Sequence, residues 1–324
     1  MQTYFLTHSN TSPYFNIASE EYLLKHTDGF FVYLWRNAPA VIVGVNQNAF
    51  SEVNLSYTQN NDIKVVRRLT GGGTVYHDLN NICYTVIAPY DSSKENYKEF
   101  TKPVIEYLKL LGVNAEFSGR NDITVDGKKI SGNAQTVYGN RIMHHGTILF
   151  KTDMNALENA IKPSKLKMES KAVKSVRARV TNVSEHLKMD MTADEFYLGL
   201  CDYFKKSLKK YELSAEDIKG IDKLVKEKYS TNEWNMGYSP KGKTVFNKRF
   251  AFGEINLSFD IENAKIQNAV MTGDFFTLKD ISKFIANLNG LLFSKDSFEN
   301  VFKNAHIYIQ GANGLEIVNA IFEE

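Results

Sequence analysis

The sequence predicts a mixed α+β protein made of one large unit and one small one. Three observations carry that expectation. The chain has 324 residues, 43% of them hydrophobic; that exceeds the roughly 100–200 residues of one ordinary domain and is enough to bury a substantial core. Short β-rich runs alternate with stretches of helical spacing as far as Tyr229. After a loop over residues 234–242 strand and helix patterns begin afresh, which places a large unit at 1–235, a linker at 236–247 and a small α/β unit at 248–324.

Taken in order, Asn16 is placed to cap a first helix over residues 17–25, and the apolar runs 30–35 and 40–45, separated by Pro39, read as buried strands. Residues 63–69 and 74–76 are extended on either side of Gly71-Gly72-Gly73, and 82–88 is a further β-rich run. Helical spacing dominates 94–111 and stops at Gly112, with Pro103 marking a start or a kink. Between 123 and 150, two tight turns, Asp126-Gly127 and Gly139-Asn140, join short β runs into a three-stranded meander. A short helix over 153–161 follows. Thr192 with Glu195 then forms a capping box for a helix running to about Tyr211, and Ser214 with Asp217 one for a helix ending near Tyr229. The small unit shows strands near 249–259 and 264–272 and helices near 278–291 and 295–304.

Composition narrows the function. Lys plus Arg (39) nearly balance Asp plus Glu (37), leaving a net charge of +2, which argues against a dedicated nucleic-acid binder; an anionic ligand must be met locally. Two cysteines, Cys83 and Cys201, are too few for a disulfide framework, and both lie in apolar patterns that read as core positions. The N-terminus lacks a charged segment followed by an apolar one, and no apolar run reaches the ~18 residues needed to span a bilayer. A soluble protein of the reducing cytoplasm, with no membrane partner, is expected.

Two segments carry candidate chemistry. In Arg67-Arg68-Leu69-Thr70-Gly71-Gly72-Gly73 the glycines leave amide N–H groups unshielded, so the loop can line an anion or a narrow ligand. It has neither the ending of a P-loop nor the helix of a dinucleotide fingerprint. Strand alternation sends Arg67 and Arg68 to opposite faces, so one of them is expected to serve a site. From the residues alone, a ligand-lining loop and a tight turn with two solvated arginines fit equally well. In the second segment the Asp126-Gly127 turn fixes register: Thr124 faces Lys129, Ile123 faces Ile130 and Asp122 faces Ser131. Asp122, Thr124, Lys129 and Ser131 then share a polar face, with Lys129 rather than Lys128 beside Asp122. An isolated hairpin of this kind is by default an exposed one with a weak ion pair. Gly132-Asn133-Ala134 continues the strand with small residues, and pairing Tyr138 with Arg141 sets His145 opposite Ala134.

With these residues in place the sequence resembles the lipoate-protein ligase family. The motifs occur in the family's order over essentially the whole chain: Trp35-Arg36-Asn37, the glycine loop leading to His77-Asp78, Gly119-Arg120-Asn121-Asp122, Lys129-Ile130-Ser131-Gly132-Asn133-Ala134, His144-His145-Gly146-Thr147, and Ser175-Val176-Arg177-Ala178-Arg179-Val180-Thr181-Asn182. The resemblance implies a catalytic domain of the biotin/lipoate-ligase type, with β-sheets flanked by helices, and a C-terminal accessory domain. It implies lipoate contacts from Arg68, Thr70, Gly71, Gly72, Gly73, His77 and His145. It further implies ATP or adenylate contacts from Arg68, Asn121, Asp122, Lys129, Gly132, Ala134, Ser175, Val176, Arg177 and Thr181, Mg²⁺ at Asp122, and Lys129 as the catalytic cation.

The implied reaction joins lipoate to ATP as lipoyl-AMP, then moves the lipoyl group to a lysine of an apo lipoyl domain, in a glycine-cleavage H protein or a 2-oxoacid dehydrogenase E2 subunit. A monomer is expected. The basic stretch from Lys162 to Arg179 suits a cover over phosphates, although alone it reads as a solvated loop. Two rivals stand beside this reading: an ATP-independent lipoyl or octanoyl transferase working through an acyl-cysteine, and a non-catalytic paralogue that binds lipoyl domains. The absence of a convincing reactive cysteine weighs against the first, and the presence of Arg68, Asp122 and Lys129 against the second.

Overall fold

The computed structural model describes residues 2–94, 96–161, 179–237 and 244–322, and its architecture is the expected mixed α+β one. An eight-stranded sheet has the order β11-β1-β2-β6-β10-β9-β8-β7. Its strands are β1 (Thr3–Thr7), β2 (Phe30–Trp35), β6 (Asn81–Pro89), β7 (Glu116–Ser118), β8 (Asp122–Val125), β9 (Lys128–Tyr138), β10 (Arg141–Leu149) and β11 (Lys209–Tyr211). A three-stranded sheet, β4-β3-β5, is formed by β3 (Ala40–Val43), β4 (Lys64–Arg67) and β5 (Val75–His77), so the glycine loop joins two of its strands.

The large sheet is buried on both faces, which is why its strands read as continuous apolar runs. Along β2, Val32 and Leu34 enter one core with the helices Asn96–Leu110 and Ala193–Lys205. Phe31, Tyr33 and Trp35 enter a second core on the opposite face, under the helix Pro13–His26. The same alternation sends Ile42 of β3 to that second core and Val41 and Val43 to a smaller cluster with the helix Met154–Ala160. No helix among the described residues is long and apolar enough to cross a membrane.

The expected capping boxes are present: Thr192 Oγ1 accepts from the Glu195 amide at 3.2 Å while Glu195 accepts from the Thr192 amide at 2.8 Å, and Ser214 and Asp217 do the same. Several expectations are corrected. The first helix starts at Pro13 with Ser12 as its cap, since proline at the first helical position lacks a donor that would be unsatisfied anyway. Asn16 instead lies buried inside the helix, donating to Asn37 Oδ1 at 2.8 Å and the Arg36 carbonyl at 3.0 Å. The helix from Ala193 ends at Lys205, and Lys209–Tyr211 pairs in parallel with β1 as the edge strand. Residues 234–236, read as the start of a loop, belong to a short helix, Asn232–Met236, capped by Thr231.

The C-terminal residues form a third sheet, β12 (Thr244–Phe250), β13 (Gly253–Glu262) and β14 (Lys265–Gly273), all antiparallel. Its core is drawn entirely from residues between Phe246 and Ala320, with helices Ile281–Ala286, Lys295–Phe302 and Gly314–Phe322 packed on one face.

Candidate active site

Where the small sheet meets the central strands of the large one, they enclose a cavity of about 840 Å³. Ile17, Trp35, Ile42, Val75 and Leu149 form an apolar end, while Asn121, Asp122 and Lys129 form a polar one. Gly72, Gly73, His77, Gly132, Ala134 and His145 lie along the walls, so the glycine loop and the Lys129 hairpin, separate in sequence, face one space. An elongated ligand with an apolar tail and an anionic head fits that polarity.

Both arginines are buried, and neither is solvated. Arg67, 1% exposed, donates to the carbonyls of Gly44, Val45, Gln47, Trp234 and Asn235 at 2.6–3.1 Å. It fastens the loop after β3 to the helix Asn232–Met236. Arg68 turns the other way and lines the cavity. Its guanidinium holds Thr70 Oγ1 at 2.9 Å and the carbonyls of Ile42, Gly71 and Gly73 at 3.1, 2.7 and 2.8 Å. Burial pulls its pKa down to about 10, which keeps it charged at neutral pH. Gly71 and Thr70 sit behind the wall rather than on it. A side chain at Gly71 would come within 2.3 Å of the Phe275 carbonyl, so only glycine lets the C-terminal unit seat there.

The hairpin turn is of the expected kind, with Asp126 and Gly127 both at positive φ (51° and 73°). Thr124 pairs with Lys129, and Lys129 Nζ stands 2.7 Å from Asp122 Oδ1. Beyond that the register shifts: Ile123 faces Ser131 and Asp122 faces Gly132, leaving Ile130 as the extra residue of a β-bulge. Ser131, expected on the polar face, therefore points inward, where it accepts from Asn133 Nδ2 at 3.3 Å. The bulge also brings the Lys129 ammonium over Gly132, where a Cβ would lie 2.7 Å from Nζ. Gly132→Ala is expected to leave thermal stability nearly unchanged, because a flexible side-chain end can move, but to cut turnover about tenfold or more by displacing the cation. Equal kcat values for the two proteins would remove Lys129 placement as the reason for glycine here.

His145 pairs with Ala134 as expected, and its neighbour His144 falls on the opposite face of the sheet. His144 is caged by Tyr84, Tyr97 and Phe100, while Gln135 Nε2 donates to its Nδ1 at 2.9 Å and its Nε2 donates to Asn133 Oδ1 at 3.2 Å. His77 accepts from Asn37 Nδ2 at 3.1 Å. Burial pushes both His77 and His144 down to about 3 from 6.5. An unfolded chain takes up protons on these rings below 6.5 and the native one does not, so their neutral burial is without penalty above that pH. Stability is then lost as pH falls toward 3, at about 1.4 kcal/mol per pH unit per ring. Denaturant midpoints are expected to drop between pH 6.5 and 5, and His144→Gln to flatten that slope by one ring's share; an unaltered slope would contradict its neutral burial.

Other expected site residues are placed as follows. Asn121 lines the cavity, and its Nδ2 donates to the Asn133 carbonyl at 2.6 Å. Thr181 donates its backbone N–H to the Lys129 carbonyl at 3.0 Å, but its hydroxyl is spent on Glu185 and His186; Arg179 and Val180 reach the cavity instead. Ser175, Val176 and Arg177, with the lysines from 162 to 174, lie outside the described residues. The sequence reading missed two contributions. Arg249, Asp274 and Phe276 of the C-terminal unit close one side of the cavity, and the Arg120 guanidinium lies 4.5 Å over the Phe276 ring and donates to the Phe252 carbonyl. Glu20, 1% exposed behind the wall, was also missed, although its place three residues after Ile17 and four before Leu24 marks it on the buried stripe.

Cys83 lies in the cavity wall, 3.6 Å from His77 Nδ1. Burial, reinforced by the Glu20 carboxylate, pushes its thiol well above the usual range, and the neutral His77 ring gives a thiolate no support. Cys201 is raised by burial as well.

A family model described as the lipoyl protein ligase A/B catalytic domain matches residues 12–205, and one described as the bacterial lipoate protein ligase C-terminus matches residues 239–321. The lipoate-protein ligase LplJ of Bacillus subtilis (strain 168) is 41% identical over 312 residues, covering 94% of each chain. Among solved structures, P. falciparum LipL1 in complex with lipoate matches with a TM-score of 0.80 at 27% identity, over 100% of this chain and 99% of that one. A lipoate-protein ligase A bound with ATP gives 0.62 at 27% identity, over 73% and 98%. A bi-partite archaeal ligase, from the lipoylation system with its E2 lipoyl domain of Thermoplasma acidophilum, gives 0.64 at 28% identity, over 75% and 98%.

Proposed function

The chain belongs to the lipoate-protein ligase family, and from that premise we propose that it activates lipoate with ATP at the Lys129–Asp122 end of the cavity and passes the lipoyl group to a lysine of an apo lipoyl domain. The observation that carries this reading is one cavity with an apolar end at Trp35 and Ile17 and a single ammonium, on Lys129, facing its polar end among the described residues. A lipoate carboxylate oxygen attacks the α-phosphorus of ATP, and the bond to the β-phosphate oxygen breaks, giving lipoyl-AMP and pyrophosphate. Lys129 sits where negative charge develops on the α-phosphate, a role that asks for a fixed cation and no protein nucleophile. The acceptor's ε-amine then attacks the acyl carbon, and AMP leaves. The ATP-bound and lipoate-bound relatives support the two substrates, and the archaeal ligase with its lipoyl domain supports the acceptor class.

Asp122 suits Mg²⁺. Its Oδ1 is buried without an aligned hydrogen bond, having only the ammonium beside it. Mg²⁺ is commonly held by one or two carboxylates, with water and phosphate oxygens filling its shell. Bound there, the ion would neutralise charge on the departing pyrophosphate. Arg68, Gly72, Gly73, His77 and His145 form the acyl side, backed by Thr70 and Gly71, and Asn121, Asp122, Gly132 and Ala134 the nucleotide side; Ser175, Val176 and Arg177 complete the adenylate contacts, and Thr181 contributes through its backbone bond to Lys129. Residues 1–235 are read as the catalytic unit and 248–324 as the accessory one, whose first strand begins earlier than that boundary, at Thr244. The reading extends to a monomer that works in the cytoplasm. The raised thiols of Cys83 and Cys201 count against transfer through an acyl-cysteine.

Lipoate-dependent exchange of labelled pyrophosphate into ATP, followed by the mass shift of apo H-protein and E2 lipoyl domains, tests the reading. Exchange and a lipoyl mass increment are expected; lipoylation that proceeds from an acylated donor without ATP would overturn it.

A further inference from the structure

Behind the cavity wall runs a chain of buried polar groups that the proposed chemistry does not use. Glu20 Oε1 accepts from Thr85 Oγ1 at 2.5 Å, and Thr85 in turn accepts from the Trp35 indole at 2.9 Å. The Glu20 carboxylate faces His145 Nδ1 at 2.9 and 3.1 Å. On its other side His145 Nε2 lies 2.8 Å from Thr70 Oγ1, which also accepts from Arg68 Nε at 2.9 Å.

The Glu20 carboxylate can only accept, so the His145 Nδ1 facing it carries a proton. Arg68 Nε can only donate, so Thr70 Oγ1 accepts from it and has its own proton to give to His145 Nε2, the arrangement that uses every member of the chain. Arg68 is otherwise bound to the neutral carbonyls of Ile42, Gly71 and Gly73, and Glu20 is the carboxylate whose charge acts on it most. Four of the five guanidinium N–H groups are thereby used inside the protein.

We propose that Glu20 is a positioning residue for the acyl site: it holds His145 in the Nδ1–H form and, through Thr70, keeps the Arg68 guanidinium on the glycine-loop carbonyls. The loop then presents the apolar chain with a fixed, charge-balanced wall, and Lys129 is left as the cation that meets the substrate carboxylate. Without Glu20 the imidazole can turn or change tautomer, Thr70 loses its acceptor, and Arg68 becomes a competing anion trap at the wrong end of the cavity. This rests on the reading of the cavity as a lipoate site.

The test uses the full chain with ¹⁵N-labelled histidine, as wild type, Glu20→Gln and Glu20→Ala. The ring nitrogens of wild-type His145 are expected to report a neutral Nδ1–H form. Glutamine can still accept from Thr85 and His145 through its amide oxygen, so Glu20→Gln should keep that form while the lost charge raises the lipoate KM about threefold to tenfold. Glu20→Ala should lose the tautomer and raise the lipoate KM more than about tenfold, with the KM for ATP within about twofold of wild type. A wild-type His145 protonated on Nε2, or an unchanged lipoate KM in Glu20→Gln, overturns the proposal, and both readings remain available should the alanine variant fail to fold. Absence of lipoate-dependent exchange in the wild type would instead sink the lipoate reading, while the His145 spectrum would still decide whether the relay exists.

Discussion

Lys129→Ala is expected to lower lipoate-dependent pyrophosphate exchange by about 10³-fold or more, while Lys128→Ala leaves it within about twofold. The two lysines are adjacent, carry the same charge and differ only in which face of β9 they occupy. Thr124 pairs with Lys129 and Val125 with Lys128, so strand alternation puts Lys129 alone beside Asp122 in the cavity. Loss of a cation that meets charge developing in the transition state should appear in kcat, and the alanine variant should unfold at nearly the wild-type temperature because Lys129 is only about two-thirds buried. Comparable losses for the two variants would mean that charge near the hairpin, and not its register, is what matters.

Arg67→Met should act on stability instead. Its guanidinium satisfies five backbone carbonyls in the interior, and methionine fills similar space but donates to none of them. Unpaired buried acceptors cost about 1–3 kcal/mol each before relaxation and water entry, so a net loss of roughly 3–5 kcal/mol is expected. The helix Asn232–Met236 should be the first part to become sensitive to protease, since Arg67 and the Trp234 indole bond it to β4. Urea unfolding measures the effect; a change under about 1 kcal/mol would show that other contacts hold the helix.

The contrast between these two residues indicates what could be read from the chain alone. Periodicity and turn chemistry are local, so the meander, the turn at Asp126-Gly127 and the capping boxes at Thr192 and Ser214 were legible, and so was the selection of Lys129 over Lys128. The bulge at Ile130 was not, because it follows from the fit of β8 against β9 and leaves no mark on the apolar pattern until the strand has already turned. Ser131 was therefore assigned to the wrong face. Arg67 and Glu20 were hidden for another reason: charged residues are by default solvated, and only the tertiary partners, carbonyls from residues 44–47 and 234–235 or His145 on β10, make their burial tolerable. The Phe275–Phe276 contribution was equally out of reach, since nothing in either unit's own pattern specifies where the other rests.

That resting place sets how the enzyme should respond to heat. The C-terminal unit has its own core and meets the glycine loop through the Phe275 carbonyl and the Phe276 ring. A molecule with two separately built cores can melt in two steps. If the smaller core goes first, the cavity loses the wall formed by Arg249, Asp274 and Phe276 while the catalytic strands remain folded. Thermal inactivation is then governed by residues such as Phe284 and Phe298, which do not line the cavity, and an engineer seeking a heat-tolerant ligase would reinforce that small core before touching the active site.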